Sequence, residues 1–450
     1  MKTVFVSILS GVEAKDILRT NILETLLKNN VRVVLFVKNK ERVEFYKKEF
    51  NHQNLVYEVV PPRMQSSADK IFDALKYYLV RTETLFLHKH VVFLEKRNYL
   101  HYAGSIFLSW ILGHSLVRRV ARFLDYAFIN DNVFSSFFDT YKPDLIFLAN
   151  LFDAIEISFL RESKRRGISS VGFVNSWDKI GSKGFVRMLS DKIIAPNFII
   201  KQEAIDFLEV SEKDIFVSGV PQYDHYISKN VMRREEFFRT INADSKKELI
   251  VLAPLGNNYS VSDWEMIDLM RELVLKNAFI KPTELLVRFP PNDFVSKEEL
   301  EKRPWLRYDL PGTRFTNELG MDWDMSFQEL DHLRNLLAHA SILVGYSSSI
   351  SIDAAIFNKP IINVGFTLTE CSPLKNPIFR YHTTHYQKAL SSGGIRLVKT
   401  KHALIKWINN YFENPALDAD GRKRLVEEQC GKMDGKTGER MANFLLSQIK

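Results

Sequence analysis

The sequence predicts an α/β protein with two doubly wound, mostly parallel sheets, each in a domain of its own. Short apolar runs alternate with stretches of helical apolar spacing, a pattern typical of parallel strands joined by helices. The alternation begins at Thr3–Leu9 and begins again at Glu248–Ala253. Residues 227–247, between the two halves, are charged and lack a strand pattern. We therefore expect an N-terminal domain at 1–230 and a C-terminal domain at 231–450.

The composition is that of a globular chain with a modest basic excess. The 450 residues are 46% hydrophobic and 26% charged, with a net charge of +8. This balance suits an anionic ligand or an anionic membrane surface, and nucleic acid is disfavoured because the basic residues form no dense run with aromatics. Cys371 and Cys430 predict no disulfide framework, so we expect a reducing, cytoplasmic compartment. The apolar run in Met1–Ser10 is too short for a signal peptide and predicts the first strand.

In the first half, a strand such as Val31–Val37 is apolar except for Arg32, as expected where a parallel strand is covered on both faces. The predicted strands are Thr3–Leu9, Val31–Val37, Leu55–Val60, Asp144–Ala149, Ser169–Val174, Lys192–Ala195 and Asp214–Ser218. Helical spacing between them predicts helices at Lys15–Lys28, Ile155–Arg166 and Ile200–Leu208.

Residues 66–141 interrupt this alternation and predict an inserted helical lobe. Tyr102–Val117 is nearly continuously apolar, yet it is shorter than the roughly 20 residues that span a bilayer. Arg118, Arg119 and Arg122 follow directly. The stretch is either a pair of buried helices or an aromatic and basic surface that contacts a membrane or a lipid-linked substrate.

The second half repeats the pattern and contains the stretch of greatest functional interest, the serine-rich turn Tyr346–Ser349. Its predicted strands are Glu248–Ala253, Glu284–Phe289, Trp305–Leu310, Ser341–Val344 and Pro360–Gly365, with helices at Ser260–Lys276 and Phe327–His339. Serine hydroxyls and free N–H groups at a helix start are suited to phosphate, and Asp353 is one turn further on, where a carboxylate reaches a ribose hydroxyl. The alternative is a capped strand–helix crossover that binds nothing.

Further polar loops follow other predicted strands, where doubly wound sheets bind ligands. Candidate contacts to an acceptor or phosphate after the first strand are Gly11, Glu13 and Asp16. A second loop contributes Asn175, Ser176, Trp177, Asp178 and Lys183. Asp178 is a candidate general base for an acceptor hydroxyl. The alternative is that Asp178 caps a turn while Trp177 packs in the core.

In the second half, Arg288 ends a strand and offers a bidentate fork to phosphate, or else forms an ordinary salt bridge. Asn292 and Asp293 follow it, and His385 is a candidate sugar or phosphate contact. No metal site is expected, because His382 and His385 have no third ligand in the sequence. Asp322 and Asp324 have the spacing of a metal-binding DxD pair but follow no buried apolar strand.

Four motifs occur in an order that resembles glycosyltransferases of the GT-B fold. The nearest resemblance is to the bacterial surface-polysaccharide glycosyltransferase and CDP-glycerol glycerophosphotransferase superfamily. The matching residues are Trp177, Asp178 and Lys183; Gly219, Pro221 and Asp224; Tyr346-Ser347-Ser348, Asp353 and Lys359-Pro360; and Asp434-Gly435-Lys436. The resemblance implies two Rossmann-like domains facing a cleft, with helices after Gly435 returning across it.

The resemblance also implies a division of roles. The C-terminal domain would hold a nucleotide sugar without a metal or cofactor, and the N-terminal domain would hold a glycan or lipid-linked acceptor and the base. Asp178 and Pro290 stand where glycerophosphotransferases have histidines, which favours sugar transfer in capsule, O-antigen or similar polysaccharide synthesis. Glycerol-phosphate transfer, nucleotide-sugar epimerisation and a non-catalytic membrane-associated scaffold are the alternatives. We expect a cytoplasmic protein that can work at the inner face of the membrane.

Overall fold

The computed structural model describes residues 1–228, 230–257, 259–316 and 322–449. The chain divides into two compact units. Unit 1 comprises Met1–Lys89, Asn98–Ser228 and Cys430–Lys450, and unit 2 comprises His90–Arg97 and Lys229–Gln429. Each unit is built on its own parallel sheet. Among the described residues, no helix combines the length and apolar character needed to cross a bilayer.

The sheet of unit 1 has the order β3-β2-β1-β4-β5-β6-β7, with every neighbouring pair parallel. Its strands are β1 (Thr3–Ile8), β2 (Arg32–Val37), β3 (Leu55–Val59), β4 (Leu145–Leu148), β5 (Ser169–Phe173), β6 (Lys192–Ala195) and β7 (Ile215–Val217). The central strands are buried because helices cover both faces, which explains their continuous apolar runs. Val6 of β1 pairs with Leu35 on one side and Phe147 on the other.

Helices connect these strands and supply the inserted lobe, which consists of α4 to α8. The helices are α1 (Gly11–Ile17), α2 (Asn21–Lys28), α3 (Lys40–Glu49), α4 (Ser67–Leu75), α5 (Glu83–Lys96), α6 (Tyr99–Leu112), α7 (Ser115–Phe128), α8 (Ser135–Tyr141), α9 (Ala154–Arg166), α10 (Lys179–Ser182), α11 (Phe198–Glu203) and α12 (Asp224–Ser228). The single helix predicted at Lys15–Lys28 is two helices, because Thr20 is extended and its hydroxyl caps α2.

Unit 2 repeats the architecture with the sheet order β10-β9-β8-β13-β14-β15, again parallel throughout. Its strands are β8 (Glu248–Ala253), β9 (Thr283–Arg288), β10 (Tyr308–Asp309), the hairpin β11 (Thr313–Arg314) and β12 (Trp323–Asp324), β13 (Ile342–Gly345), β14 (Ile361–Val364) and β15 (Arg396–Val398). Its helices are α13 (Arg234–Thr240), α14 (Asp263–Leu275), α15 (Lys297–Glu301), α16 (Phe327–His339), α17 (Ile350–Ile356), α18 (Thr384–Ser391), α19 (Lys401–Glu413) and α20 (Ala419–Cys430).

The last helix, α21 (Thr437–Gln448), belongs to unit 1. Met441 and Leu445 are buried in the same core as β1 and β2, and the Phe444 ring stacks on Phe216 of β7 at 4.4 Å. The predicted C-terminal domain, 231–450, was therefore wrong at its end, since residues 430–450 pack with the first half. The reason is the apolar face of α21, which completes a core that the first 228 residues leave open.

Candidate functional site

The serine-rich turn of unit 2 follows β13, at the carboxyl edge of the sheet between β8 and β13. Strand order reverses between these two strands, and doubly wound sheets bind ligands at such a point. Tyr346 is buried, Ser347 and Ser348 are half-buried, and Ser349 is exposed. Asp353 is half-buried in the first turn of α17. Because α17 has only seven residues, an anion at this turn would contact the hydroxyls and turn N–H groups rather than a long helix dipole.

A tyrosine hydroxyl on α18 holds the start of the serine-rich turn. The buried Tyr386 hydroxyl donates to the carbonyl oxygen of Tyr346 over 3.1 Å and lies 3.2 Å from Ser351 Oγ. The side-chain amide of Asn363, on β14, donates to the same hydroxyl oxygen. Burial raises the pKa of Tyr386 to about 12, so the hydroxyl stays protonated at neutral pH. It connects α17, α18 and β14 behind the turn.

The loops after β8 and β9 reach the same edge through two buried carboxylates. Asp263 Oδ2 accepts a hydrogen bond from Gly256 N at 2.7 Å, and Asp293 Oδ2 accepts one from Asn257 N at 2.6 Å. Gly256 has a φ of +93°, and a Cβ there would lie 2.7 Å from Asp293 Oδ2, so the loop requires glycine. Asp293 Oδ1 and Ser347 Oγ are buried without a hydrogen-bond partner among the described residues. This edge therefore has unused hydrogen-bonding capacity.

Arg288 has a partner within unit 2. Its buried guanidinium lies 3.2 Å from Asp309 Oδ2, and His332 Nε2 lies 2.9 Å from the same oxygen. Burial opposes ionisation of Asp309, yet the contacts with His332 and Arg288 lower the pKa of this carboxyl. Of the two roles predicted for Arg288, phosphate binding and an ordinary salt bridge, the geometry is that of the salt bridge. Asn292 is half-buried in the loop that follows β9.

His385 is half-buried on α18, beside Tyr386, and its Nε2 lies 3.4 Å from Thr383 Oγ1. His382 is exposed. In the part of the chain that the structure describes, no three His, Cys, Asp or Glu side chains are placed to hold a metal ion. His385 precedes Tyr386 on α18, and it is Tyr386 whose hydroxyl contacts the serine-rich turn.

The corresponding edge of unit 1 lies at the carboxyl ends of β1 and β4. Asn150 links two buried glutamates there, because its side-chain amide donates to Glu13 Oε1 at 3.2 Å and its backbone N–H donates to Glu156 Oε2 at 2.9 Å. Ser10 N also donates to Glu13 at 2.9 Å, and the Ser7 hydroxyl donates to Glu156. Burial, followed by repulsion from nearby carboxylates, raises the pKa of both Glu13 and Glu156.

A lysine and two aspartates complete this acidic edge. Lys179 Nζ donates to Asn150 Oδ1 at 3.1 Å, and burial lowers the pKa of this amine against the attraction of Asp178 and Glu13. Burial also raises the pKa of Asp153. It raises the pKa of the buried Asp16 to about 7, against the attraction of Lys15 and a backbone hydrogen bond from Gln222.

The loop that contains Trp177 and Asp178 connects the carboxyl end of β5 to the start of α10. The Asp178 carboxylate accepts a hydrogen bond from Ser176 Oγ at 2.5 Å and lies 3.5 Å from Ser182 Oγ. Asp178 is the residue before α10, but its side chain makes no capping bond to the helix backbone. Trp177 is half-buried and lies outside the core clusters of unit 1. Asn175 is buried in the same loop.

The structure thus groups the predicted residues into two sets, one in each unit. Gly11, Glu13 and Asp16 are buried on α1, and the second loop adds Asn175, Ser176, Trp177, Asp178 and the exposed Lys183. Sequence analysis missed Asn150, Glu156 and Lys179 in unit 1. Asn150 could have been found, because it follows a predicted strand at the sheet edge where Glu13 was already a candidate.

No protein-family profile and no curated protein sequence matches the chain. Several solved structures, in contrast, align with the chain over nearly its whole length. A UDP-GlcNAc 2-epimerase from Neisseria meningitidis, solved with UDP-GlcNAc bound, aligns with a TM-score of 0.58 at 12% identity over 99% of this chain and all of that one. The chain therefore has the GT-B fold. A glycosyltransferase from Rickettsia africae aligns with a TM-score of 0.50 at 11% identity, covering 100% of this chain and 99% of that one.

The wall teichoic acid polymerase TagF also has this fold, with a TM-score of 0.50 at 12% identity over 100% of this chain and 88% of that chain. At such identities the likeness concerns the fold. The predicted fold class, two Rossmann-like domains of the GT-B type with a helical insertion in the first, is confirmed. The enzymes that the sequence motifs resemble are expected to have this same fold, and the aligned structures include a glycosyltransferase and TagF.

Proposed function

We propose that the protein is a metal-independent glycosyltransferase that moves a sugar from a nucleotide-sugar donor to a glycan or lipid-linked acceptor in bacterial surface-polysaccharide synthesis. The observation that carries this proposal is the serine-rich turn at the strand-order reversal of unit 2. It brings half-buried hydroxyls to the sheet edge where doubly wound folds bind nucleotides, and the described residues offer no hydrogen-bond partner to the buried Ser347 Oγ. Structures with this fold include one solved with UDP-GlcNAc and one described as a glycosyltransferase.

In the proposed donor site, Ser347, Ser348 and Ser349 bind the diphosphate and Asp353 binds the ribose. The loops after β8 and β9 close the same edge, with Asn292 and Asp293 nearest to the donor. Arg288 acts indirectly in this proposal, because its guanidinium is paired with Asp309. The fixed hydroxyl and N–H dipoles stabilise charge on the leaving diphosphate without reorganising during the reaction.

The donor site is tested by calorimetry with UDP-, GDP- and CDP-linked sugars. We expect one nucleotide class to bind, and expect the double variant Ser347→Ala/Ser348→Ala to weaken that binding at least tenfold. Ser391→Ala is the matched control, because this exposed serine of α18 donates only to Lys388 O. If no nucleotide sugar binds the native protein, or if both variants bind equally well, the proposed donor site is wrong.

Asp178 is the proposed general base of unit 1. Ser176 Oγ donates to its carboxylate and Ser182 Oγ donates to its backbone carbonyl oxygen, and the carboxylate removes the proton of an acceptor hydroxyl as the new glycosidic bond forms. Asp178→Asn should reduce transfer by 100-fold or more, the usual order for removing a general base, while donor affinity is unchanged. Asp214→Asn, at a half-buried carboxylate that pairs with Lys192, is the control. Full activity of Asp178→Asn would reject this assignment.

A second candidate is a nucleotide-sugar epimerase. It is favoured by the carboxylates at the sheet edge of unit 1, because burial raises the pKa of Glu13, Asp153 and Glu156, and acid–base chemistry at a sugar carbon uses carboxyl groups with shifted pKa values. Several solved UDP-GlcNAc 2-epimerases share the fold. Incubation with UDP-GlcNAc alone separates the two candidates, since an epimerase converts the sugar without an acceptor and a transferase does not.

A further inference from the structure

Helix α6 is inverted, with its polar face inward and its apolar face in solvent. Its buried residues are Ser105 and Ser109. Ser109 Oγ donates to Ser105 O at 3.0 Å and accepts a hydrogen bond from Lys89. On the other side of the helix, Phe107 is 59% exposed and Trp110 is 64% exposed. A helix that packs on a protein core normally has the opposite arrangement.

Helix α7 is inverted in the same way. Arg118 and Arg122 point inward and pair with Glu209 at 2.8 and 3.1 Å. Asp125 is fully buried and binds Arg161 and Arg187. Most large residues on the outer face are apolar, and Arg119 is exposed among them. These inward ion pairs fix the orientation of α7, because turning the apolar face inward would leave buried charges without partners.

Large apolar side chains are exposed on both of these consecutive helices, and we call this set the α6–α7 apolar face. It comprises Leu100, Phe107, Trp110, Leu116, Phe123 and Phe128, each more than half exposed. Several large apolar side chains exposed on two consecutive helices indicate an interaction site, since leaving apolar area in water costs about 25 cal/mol for each Å². The alternative that these helices form a buried pair is wrong for their outer sides.

The charged residues around the α6–α7 apolar face favour a negatively charged partner. From Asn98 to Phe128 the one carboxylate is Asp125, and it is buried in ion pairs. Arg119 is exposed on α7, and Arg81 donates to the carbonyl oxygens at the end of α6, beside Trp110. Aromatic and apolar side chains flanked by arginine, without exposed carboxylates, are the signature of helices that lie in an anionic membrane interface.

We propose that the α6–α7 apolar face docks the protein on a lipid bilayer that contains anionic headgroups. Each helix has 14 residues, too few to span the roughly 30 Å hydrocarbon core, so the pair lies in the interface and inserts its apolar side chains between the headgroups. Arg119 contacts the lipid phosphates. This docking is independent of the reaction and holds equally for a transferase and an epimerase.

The test is co-sedimentation of the full chain with vesicles of phosphatidylcholine alone and with phosphatidylglycerol added. Native protein should sediment with the anionic vesicles, and the triple variant Leu100→Ser/Trp110→Ser/Phe123→Ser should partition at least tenfold less. Phe198→Ser is the matched control, because Phe198 is 73% exposed elsewhere in unit 1 and should bind normally. Arg119→Glu should weaken binding to the anionic vesicles and leave the weaker binding to neutral vesicles unchanged.

Three results would overturn the proposal. Native protein could fail to sediment with either vesicle, or the triple variant could bind as well as the native protein. Sedimentation velocity without lipid could instead show a native dimer that the triple variant converts to a monomer, which would assign the face to a second copy of the chain. Because the substituted side chains are exposed, unchanged thermal unfolding of the triple variant is the check that it is folded.

Discussion

The carboxylate of Asp224 accepts a hydrogen bond from the backbone N–H of Gly438, 2.8 Å away and 214 positions later in the chain. The backbone of the same turn also lies close to α21. Gly219 has a φ of +100°, and a Cβ added there would lie 2.8 Å from Thr437 Oγ1, so the turn has room only for glycine. The turn from Gly219 to Asp224 and the segment after Asp434 are two of the motifs that carried the family resemblance. In this protein the two segments contact each other within unit 1, and the hydrogen bond joins α21 to the turn.

Asp224→Ala should therefore destabilise unit 1. The substitution leaves the buried N–H of Gly438 without an acceptor, which costs about 1–3 kcal/mol of unfolding free energy. Urea denaturation monitored by far-ultraviolet circular dichroism measures this change. Glu439→Ala, at an exposed acid in the first turn of the same helix, is the control and should change the midpoint little. Equal midpoints for the two variants would show that the Asp224 contact contributes nothing.

The buried Asp16 predicts a pH-dependent stability. Its folded-state pKa of about 7 lies above the ordinary value of 3.8, so the folded chain holds a proton that the unfolded chain releases between about pH 4 and pH 7. Stability must fall as pH rises through that window. The advantage of Asp16→Asn over the native protein should grow by on the order of 4 kcal/mol from pH 4 to pH 8.

Thermal and urea unfolding at both pH values measure the Asp16 effect. Asp206→Asn is the control, because this carboxylate is exposed on the surface of the same unit. A native protein and an Asp16→Asn variant with parallel pH profiles would mean that Asp16 is ionised throughout the window.

The buried ion pairs under the helical lobe predict a large effect of Asp125→Ala. Asp125 is fully buried between Arg161 at 2.5 Å and Arg187 at 2.6 Å, so its removal leaves two buried guanidinium groups with one partner fewer. Breaking such a network by deleting one member costs about 3–5 kcal/mol. Asp139→Ala, which removes an exposed pair with Arg166, should have a much smaller effect on the denaturation midpoint. Comparable losses in the two variants would contradict this prediction.

The Tyr386 hydroxyl predicts a coupling between packing and donor binding in unit 2. Tyr386→Phe removes the donor to Tyr346 O and the partner of Asn363, which should lower stability by about 1–3 kcal/mol and weaken nucleotide-sugar binding because the serine-rich turn loses its support. Tyr381→Phe is the control, since the buried Tyr381 hydroxyl donates to Val364 O rather than to the turn. Calorimetry should show weaker binding for Tyr386→Phe alone.

The strands were predictable because each is a short apolar run buried on both faces. Val31–Val37 in the sequence became Arg32–Val37 in the structure, and Glu248–Ala253 was unchanged. The order of the strands in each sheet depends on contacts between distant segments, so it cannot be predicted from the local pattern of apolar residues. The last helix shows the same limit, since nothing local in residues 437–448 indicates that its apolar face packs on the first half of the chain.

The candidate sites were partly predictable for a physical reason. Polar residues directly after a strand, such as Glu13 and Asp178, can be found from sequence because parallel strands place their carboxyl ends at one edge. Glu156 was missed, since it is two residues inside a helix and reaches the edge through Asn150 and through Ser7, which is 149 positions away in the chain. The inversion of α6 was also missed. Its serines repeat with helical spacing, but spacing does not say which face points inward.

Most of unit 1 is formed by residues before Lys229, and nearly all of unit 2 is the single segment Lys229–Gln429. The residues after this segment, which include α21, belong to unit 1 again. During synthesis, unit 2 can therefore acquire its contacts as soon as Lys229–Gln429 has emerged. Unit 1 has to wait for residues made more than 200 positions after its seventh strand, and until then part of its core faces water. Folding of the first unit should accordingly be the slower step, since contacts between distant segments form late.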